Sequence, residues 1–251
     1  MKTAWFVVAL SVACSVAALL IPAMPQPLDY HRFVDTRALF GIPNALDVLS
    51  NLGFLVAGRL GWVVVFRGET VFATRSERVP YIVFFIGVLL TAFGSSYYHL
   101  APDNERLFWD RLPMTIAFMS LISAQIVERI DRRMGLRLLA PMLLVGAASV
   151  IFWRSTERAG AGNVIPYAIL QGYAVVVLLM LAALYRSRYT RANDLYAVFA
   201  CYVLAKVLEA FDAQIFAFGN LVSGHTLKHL SAAAAGLVVC RMLWLRKLAD
   251  Q

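Results

Sequence analysis

Charged residues are scarce, at 15% of a 251-residue chain that is 61% hydrophobic. An average soluble domain carries about 25%, so this chain is neither one nor two soluble domains. Cysteine is rare as well. Cys14, Cys201 and Cys240 are odd in number, lie within apolar segments and lack metal-ligand spacing. They exclude a disulfide framework or thiolate-bound metal and read as packing residues. No internal repeat, low-complexity tract or extramembrane domain is present. The apolar stretches do not alternate with polar residues, which argues against a transmembrane barrel. The net charge of +8 comes from basic residues in short loops, where they set membrane topology rather than form a nucleic-acid patch.

What the chain does have is a succession of apolar runs, the pattern of an all-α polytopic membrane protein. The first, 4–24, is longer than the apolar core of a secretory signal and is followed by Pro22, Pro25 and Pro27. It reads as a retained helix, making 1–25 an N-terminal transmembrane helix. Residues 26–46 form a polar extracytoplasmic connector containing His31, Arg32, Asp35 and Arg37. Residues 47–251 then hold seven helices, at about 47–66, 79–100, 107–128, 138–153, 165–185, 195–216 and 224–245. With eight spans, one side of the membrane collects fourteen basic loop residues and the other five. Positive loops face the cytoplasm, so both termini are expected there in a multi-pass protein, here of a bacterial inner membrane.

Only four histidines occur, and three lie in pieces that read as one site. The pieces are Ser95-Ser96-Tyr97-Tyr98-His99, Asp110-Arg111-Leu112-Pro113-Met114 and His225-Thr226-Leu227-Lys228-His229. His225 and His229, four apart, share a helix face and can chelate one cation. By the loop count, His99, Asp110, His225 and His229 all fall at the outer face and at similar depth. Three histidines suit a tetrahedral Zn²⁺ with one position open for water, and zinc makes that water a nucleophile at neutral pH. Asp110 is placed to move its proton, and Ser95 to donate to a developing oxyanion. Those are parts for hydrolysing an amide or ester drawn from the bilayer.

Other polar groups have plainer expectations. His31 reads as a hydrogen-bonded interfacial residue, Lys206 and Glu209 as a buried ion pair, and Tyr97, Tyr98 and Trp153 as interface anchors. Asp212 is either a support to the site or an interfacial residue. A transporter would show broken helices at mid-membrane, whereas these polar groups gather at one face. The alternative to an enzyme is a lipid-binding or receptor-type membrane protein with a structural zinc site.

The order Ser95-x3-His99, Asp110-x2-Pro113-Met114 and His225-x3-His229, preceded by Ser50-Asn51, resembles the alkaline ceramidases. The resemblance covers about residues 44–245, and the wider superfamily includes adiponectin-receptor-like proteins. It implies a seven-helix bundle, to which the first helix is an addition. It also implies zinc-dependent hydrolysis of a ceramide-like lipid amide to fatty acid and free amine. His99, His225 and His229 would be the ligands, with Ser95 and Asp110 as catalytic partners. The eukaryotic family also carries an acidic calcium site before its first core helix. Here Asp35, Asn44 and Asp47 remain, but Tyr30 and Phe33 stand where acidic residues are wanted. Calcium takes six to eight oxygen ligands, so the residues argue against a Ca²⁺ site.

Overall fold

The computed structural model describes residues 2–249, with side chains described from residue 10 onward. The side chain of Lys2, which entered the topology count, lies outside them. The described residues form eight long helices. These are α1 (Lys2–Leu20), α3 (Leu52–Phe66), α4 (Arg78–Leu100), α5 (Asn104–Arg129), α6 (Arg132–Arg158), α7 (Ile165–Leu184), α8 (Asp194–Ala210) and α10 (Gly224–Leu245). Two short helices, α2 (Ala45–Ser50) and α9 (Asp212–Ala217), precede α3 and follow α8. Five helical segments, Ala45–Phe66, Arg75–Leu100, Arg132–Arg158, Ile165–Leu184 and Gly224–Leu245, are long and apolar enough to cross a membrane. The chain is an all-α, multi-pass membrane protein.

Helices α3, α4, α5, α7, α8 and α10 surround a common interior, with α6 laid outside α5 and α1 outside α7. Helix α5 is the innermost, and every residue from Met119 to Glu128 is buried. A helix buried on all sides faces protein rather than lipid, so α5 tolerates Ser120, Ser123, Gln125 and Glu128. Helix α1 is tied to α7 by a 2.9 Å hydrogen bond between the Ser11 and Tyr173 hydroxyls.

Several elements differ from the sequence expectation. The helix expected at 138–153 runs from Arg132 to Arg158, because Asp131 caps it by accepting from the Met134 amide at 2.7 Å. An N-cap aspartate of this kind starts a helix even in a basic stretch. The helix expected at 195–216 breaks at Phe211, and that at 47–66 breaks at Asn51. Tyr98 and Trp153 are not interface anchors. Both are core residues, at 1% and 0% exposure, whereas Tyr97 is exposed. Lys206 and Glu209 pair at 2.7 Å but remain partly exposed. Cys240 is buried, and Cys14 and Cys201 are half-buried.

At the end of the bundle away from the histidines, the buried charges are paired. Arg246 and Glu128 form an ion pair with both side chains buried. Glu128 also accepts from the Tyr81 hydroxyl at 2.8 Å. The Arg246 guanidinium stacks on Tyr189 at 4.1 Å and Phe72 at 4.3 Å. Tyr189 donates to Glu77, which also pairs with Arg188 at 3.4 Å. Burial, with Glu77 accepting the hydrogen bond, pushes the Tyr189 phenol up to about 12.

Candidate metal centre

His99 sits in the last turn of α4, and His225 and His229 in the first two turns of α10. They converge because those two helix ends lie at the same end of the bundle. Their ring centroids are 4.8–4.9 Å apart. One ring nitrogen from each lies within 4.8 Å of the others, and all three side chains are buried. Tetrahedral coordination at 2.0–2.1 Å separates ligand nitrogens by roughly 3.3 Å, so small ring movements bring this set onto one ion.

The supporting contacts favour that use. The Ser50 hydroxyl donates to the Asp47 carbonyl at 2.9 Å. His229 Nδ1 lies 2.8 Å from Ser50 Oγ and 3.2 Å from the Asp47 carbonyl. Nδ1–H therefore points at these oxygens and leaves Nε2 bare, the tautomer a metal ligand needs. His99 Nδ1 is buried without a hydrogen-bond partner. An orphaned buried imidazole nitrogen is costly unless something binds it. Three buried histidines with one orphaned nitrogen fit a metal ion.

Local backbone features create this geometry. At the α2–α3 break the Asn51 amide bonds to Val48, which releases the Asp47 carbonyl. That carbonyl then accepts from Ser50, His229 and the Asn51 side-chain amide, the last at 2.8 Å. The break is thus the physical content of the Ser50-Asn51 pair. Pro113 has no amide to donate to the Trp109 carbonyl one turn earlier. Gly94 packs against that freed carbonyl, and a Cβ there would lie 2.0 Å from its oxygen. The close approach of α4 to α5 brings Ser95 beside Asp110. Gly224 works likewise, since a Cβ there would lie 2.2 Å from the Leu208 carbonyl oxygen. The helix break at Phe211 lets Asp212 accept from the His225 amide at 2.7 Å, settling its role as a support of α10. Thr226 donates to Asp47 at 2.6 Å and completes the anchoring.

Ser95 and Asp110 line one cavity of about 400 Å³ together with His229. Ser95 Oγ is buried with no close hydrogen-bond partner and has the Asp110 carboxyl as its neighbouring acceptor. The rest of the cavity is mainly apolar and descends between α4, α5, α7, α8 and α10 past Phe84, Val88, Leu121, Leu178 and Val198. His31 does not join the centre. Its two ring nitrogens bond Tyr98 and Asn104, each at 2.9 Å.

Sequence reasoning missed four participants. Phe33 of the connector lies 4.6 Å from the rings of both His99 and His225 and covers them. Asn44 donates to the His99 carbonyl at 2.8 Å. Lys228 pairs with Glu209 at 2.5 Å and lies 3.5 Å from His225 Nε2. Asp47 anchors α10. A lysine between the two histidines of an apolar helix was a visible signal, whereas the connector contacts had none. Of the residues weighed for calcium, Asp35 and Asn44 bond protein groups, and Asp47 does so through Oδ1 while its Oδ2 is buried without a partner. Arg37 beside Asp35, at 2.7 Å, holds its carboxyl below the usual range.

No protein-family model and no curated protein matches the chain, so the arrangement of its own residues carries the functional reading.

Proposed function

We propose that this protein is a zinc-dependent membrane hydrolase that cleaves the amide of an N-acylated lipid to a fatty acid and a free amine. The observation that carries the reading is the shared cavity. It joins His229, Ser95 and Asp110 at a polar head to an apolar depth suited to an acyl chain. The resemblance of the three motifs to the alkaline ceramidases points the same way.

His99, His225 and His229 hold the metal. An all-imidazole donor set with no thiolate suits zinc, which supplies Lewis acidity at the amide when bound. Asp110 takes a proton from the attacking water as its oxygen bonds to the carbonyl carbon. The same carboxyl then delivers that proton to the amide nitrogen as the C–N bond breaks. Ser95, beside Asp110, donates to the oxygen that becomes negative. Phe33 excludes water from the histidine face. With the site at the outer face, the substrate comes from the outer leaflet and both termini are cytoplasmic.

The test is fatty-acid release from a panel of N-acyl lipids by purified protein whose metal content has been measured, with and without a chelator. Chelator-sensitive release is expected. A folded, zinc-loaded sample that releases nothing overturns the hydrolase and favours a lipid-binding protein with a structural metal.

A further inference from the structure

Arg111 follows Asp110 directly, and the proposed chemistry does not use it. Its side chain is buried at 5% exposure. Among the described residues it forms no ion pair. The guanidinium is held between aromatic faces, 4.3 Å from Trp153, 4.8 Å from Tyr167 and 5.5 Å from Tyr30. Nη2 donates to Gln26 Oε1 at 2.6 Å. Nη1 is buried and has no partner.

The contrast with Arg246 defines the anomaly. Both arginines are buried, ringed by aromatics and left with one unpartnered Nη, but Arg246 pairs directly with the Glu128 carboxylate and Arg111 pairs directly with none. Aromatic faces offset part of a cation's desolvation, yet a buried unpaired charge remains expensive. Asp110, its neighbour in sequence, acts on Arg111 through space without a direct ion pair, and the other acidic side chains nearby have partners of their own. Glu157 accepts from the Gln26 amide at 2.6 Å and from Trp153 Nε1 at 3.1 Å, and Glu105 pairs with Arg154 and Arg158.

Arg111, Gln26, Tyr30 and Tyr167 line the same cavity as Ser95, Asp110 and His229. The Arg111 side chain therefore lies in the wall of the proposed substrate site. The remaining charges there balance, Lys206 and Lys228 against Glu209 and Asp110, so Arg111 is the surplus cation of the lining.

We propose that Arg111 is a head-group subsite for an anionic oxygen group, a carboxylate or a phosphate. The preferred lipid amide is then acidic rather than neutral. This rests on the hydrolase reading for the identity of the ligand as a lipid amide, but not for the anion preference. A planar guanidinium gives an oxyanion a charge-assisted hydrogen bond and compensates its charge. A hydroxyl head leaves that charge unpaired. Gln26 and Tyr30 come from the connector, so this segment builds the subsite as well as covering the histidines.

The test is equilibrium binding to the zinc-loaded full-length protein in nonionic detergent at low temperature, with lipid integrity checked after each titration. The probes share one acyl chain: N-oleoylglycine, N-oleoylphosphoethanolamine and the neutral N-oleoylethanolamine. At least one acidic lipid is expected to bind tenfold or more tightly than the neutral one, and which one does identifies the oxyanion. Arg111→Gln is expected to abolish that preference while leaving affinity for the neutral lipid unchanged. If Arg111→Gln does not fold, Arg111→Lys, which keeps the charge but not the planar fork, should reduce the preference several-fold. Equal affinity for all three lipids overturns the subsite, as does a preference that survives the variant. Turnover is scored separately. A preference without hydrolysis keeps the subsite and discards the hydrolase.

Discussion

The two ends of this helical bundle both bury polar groups, and they treat them differently. At one end Glu128, Arg246, Tyr81, Glu77 and Tyr189 are joined by ion pairs and hydrogen bonds, with Arg246 Nη2, Arg78 Nε and Tyr185 Oη left over. At the other, Ser95 Oγ, His99 Nδ1, Asp47 Oδ2, Asn51 Oδ1 and Arg111 Nη1 are all buried without partners. Matched polar groups hold helices in register, whereas unmatched ones cost stability and persist where a ligand meets them. The direct ion pair of the buried arginine, present at Arg246 and absent at Arg111, separates a clamp from a site.

The largest effect is expected at the histidines. His225→Ala should lose bound zinc and amide hydrolysis together, measured by metal analysis and fatty-acid release. Glu128→Ala, at the clamp, should instead destabilise by about 3–5 kcal/mol, because it strands the buried Arg246 charge. Replacing the pair together, Glu128→Leu with Arg246→Met, should recover most of that loss in thermal unfolding. Asp110→Asn should keep its zinc and its fold but lose about 10²–10⁴-fold in turnover. Unchanged turnover would remove Asp110 as the proton carrier.

Ser95→Ala sharpens the contrast further. It removes a hydroxyl that makes no close hydrogen bond, so thermal stability should change little, while turnover falls about 10²–10³-fold. A variant that loses stability and keeps activity would make Ser95 a clamp residue. The smallest effect concerns the connector. Because Arg37 lowers the Asp35 carboxyl, this pair's contribution is present above the ordinary aspartate range and is lost as pH falls through the lowered value. Asp35→Asn should remove that acid sensitivity from the unfolding midpoint, and an unchanged acid limb would show that the pair contributes nothing there.

The convergence of His99, Asp110 and the His225/His229 pair was legible in the sequence because helix ends and loop charges order the chain across the membrane. Helix boundaries were less so. Residues 132–137 looked like a basic loop until Asp131 supplied a cap, and 195–216 looked continuous although it breaks where Asp212 turns to support α10. Both outcomes depend on single hydrogen bonds that an apolar pattern does not encode.

Sequence alone determined the class, an all-α multi-pass membrane protein, because composition and apolar run length are properties of the chain. It also determined that three histidines, a serine and an aspartate share one face, since spacing and topology are one-dimensional. Tertiary structure decided what surrounds them. Phe33 over the rings, Asn44 on His99, the Asp47 carbonyl under His229 and the aromatic cage around Arg111 all bring together residues far apart in the chain. Partners of that kind are chosen by packing, and no local pattern announces them.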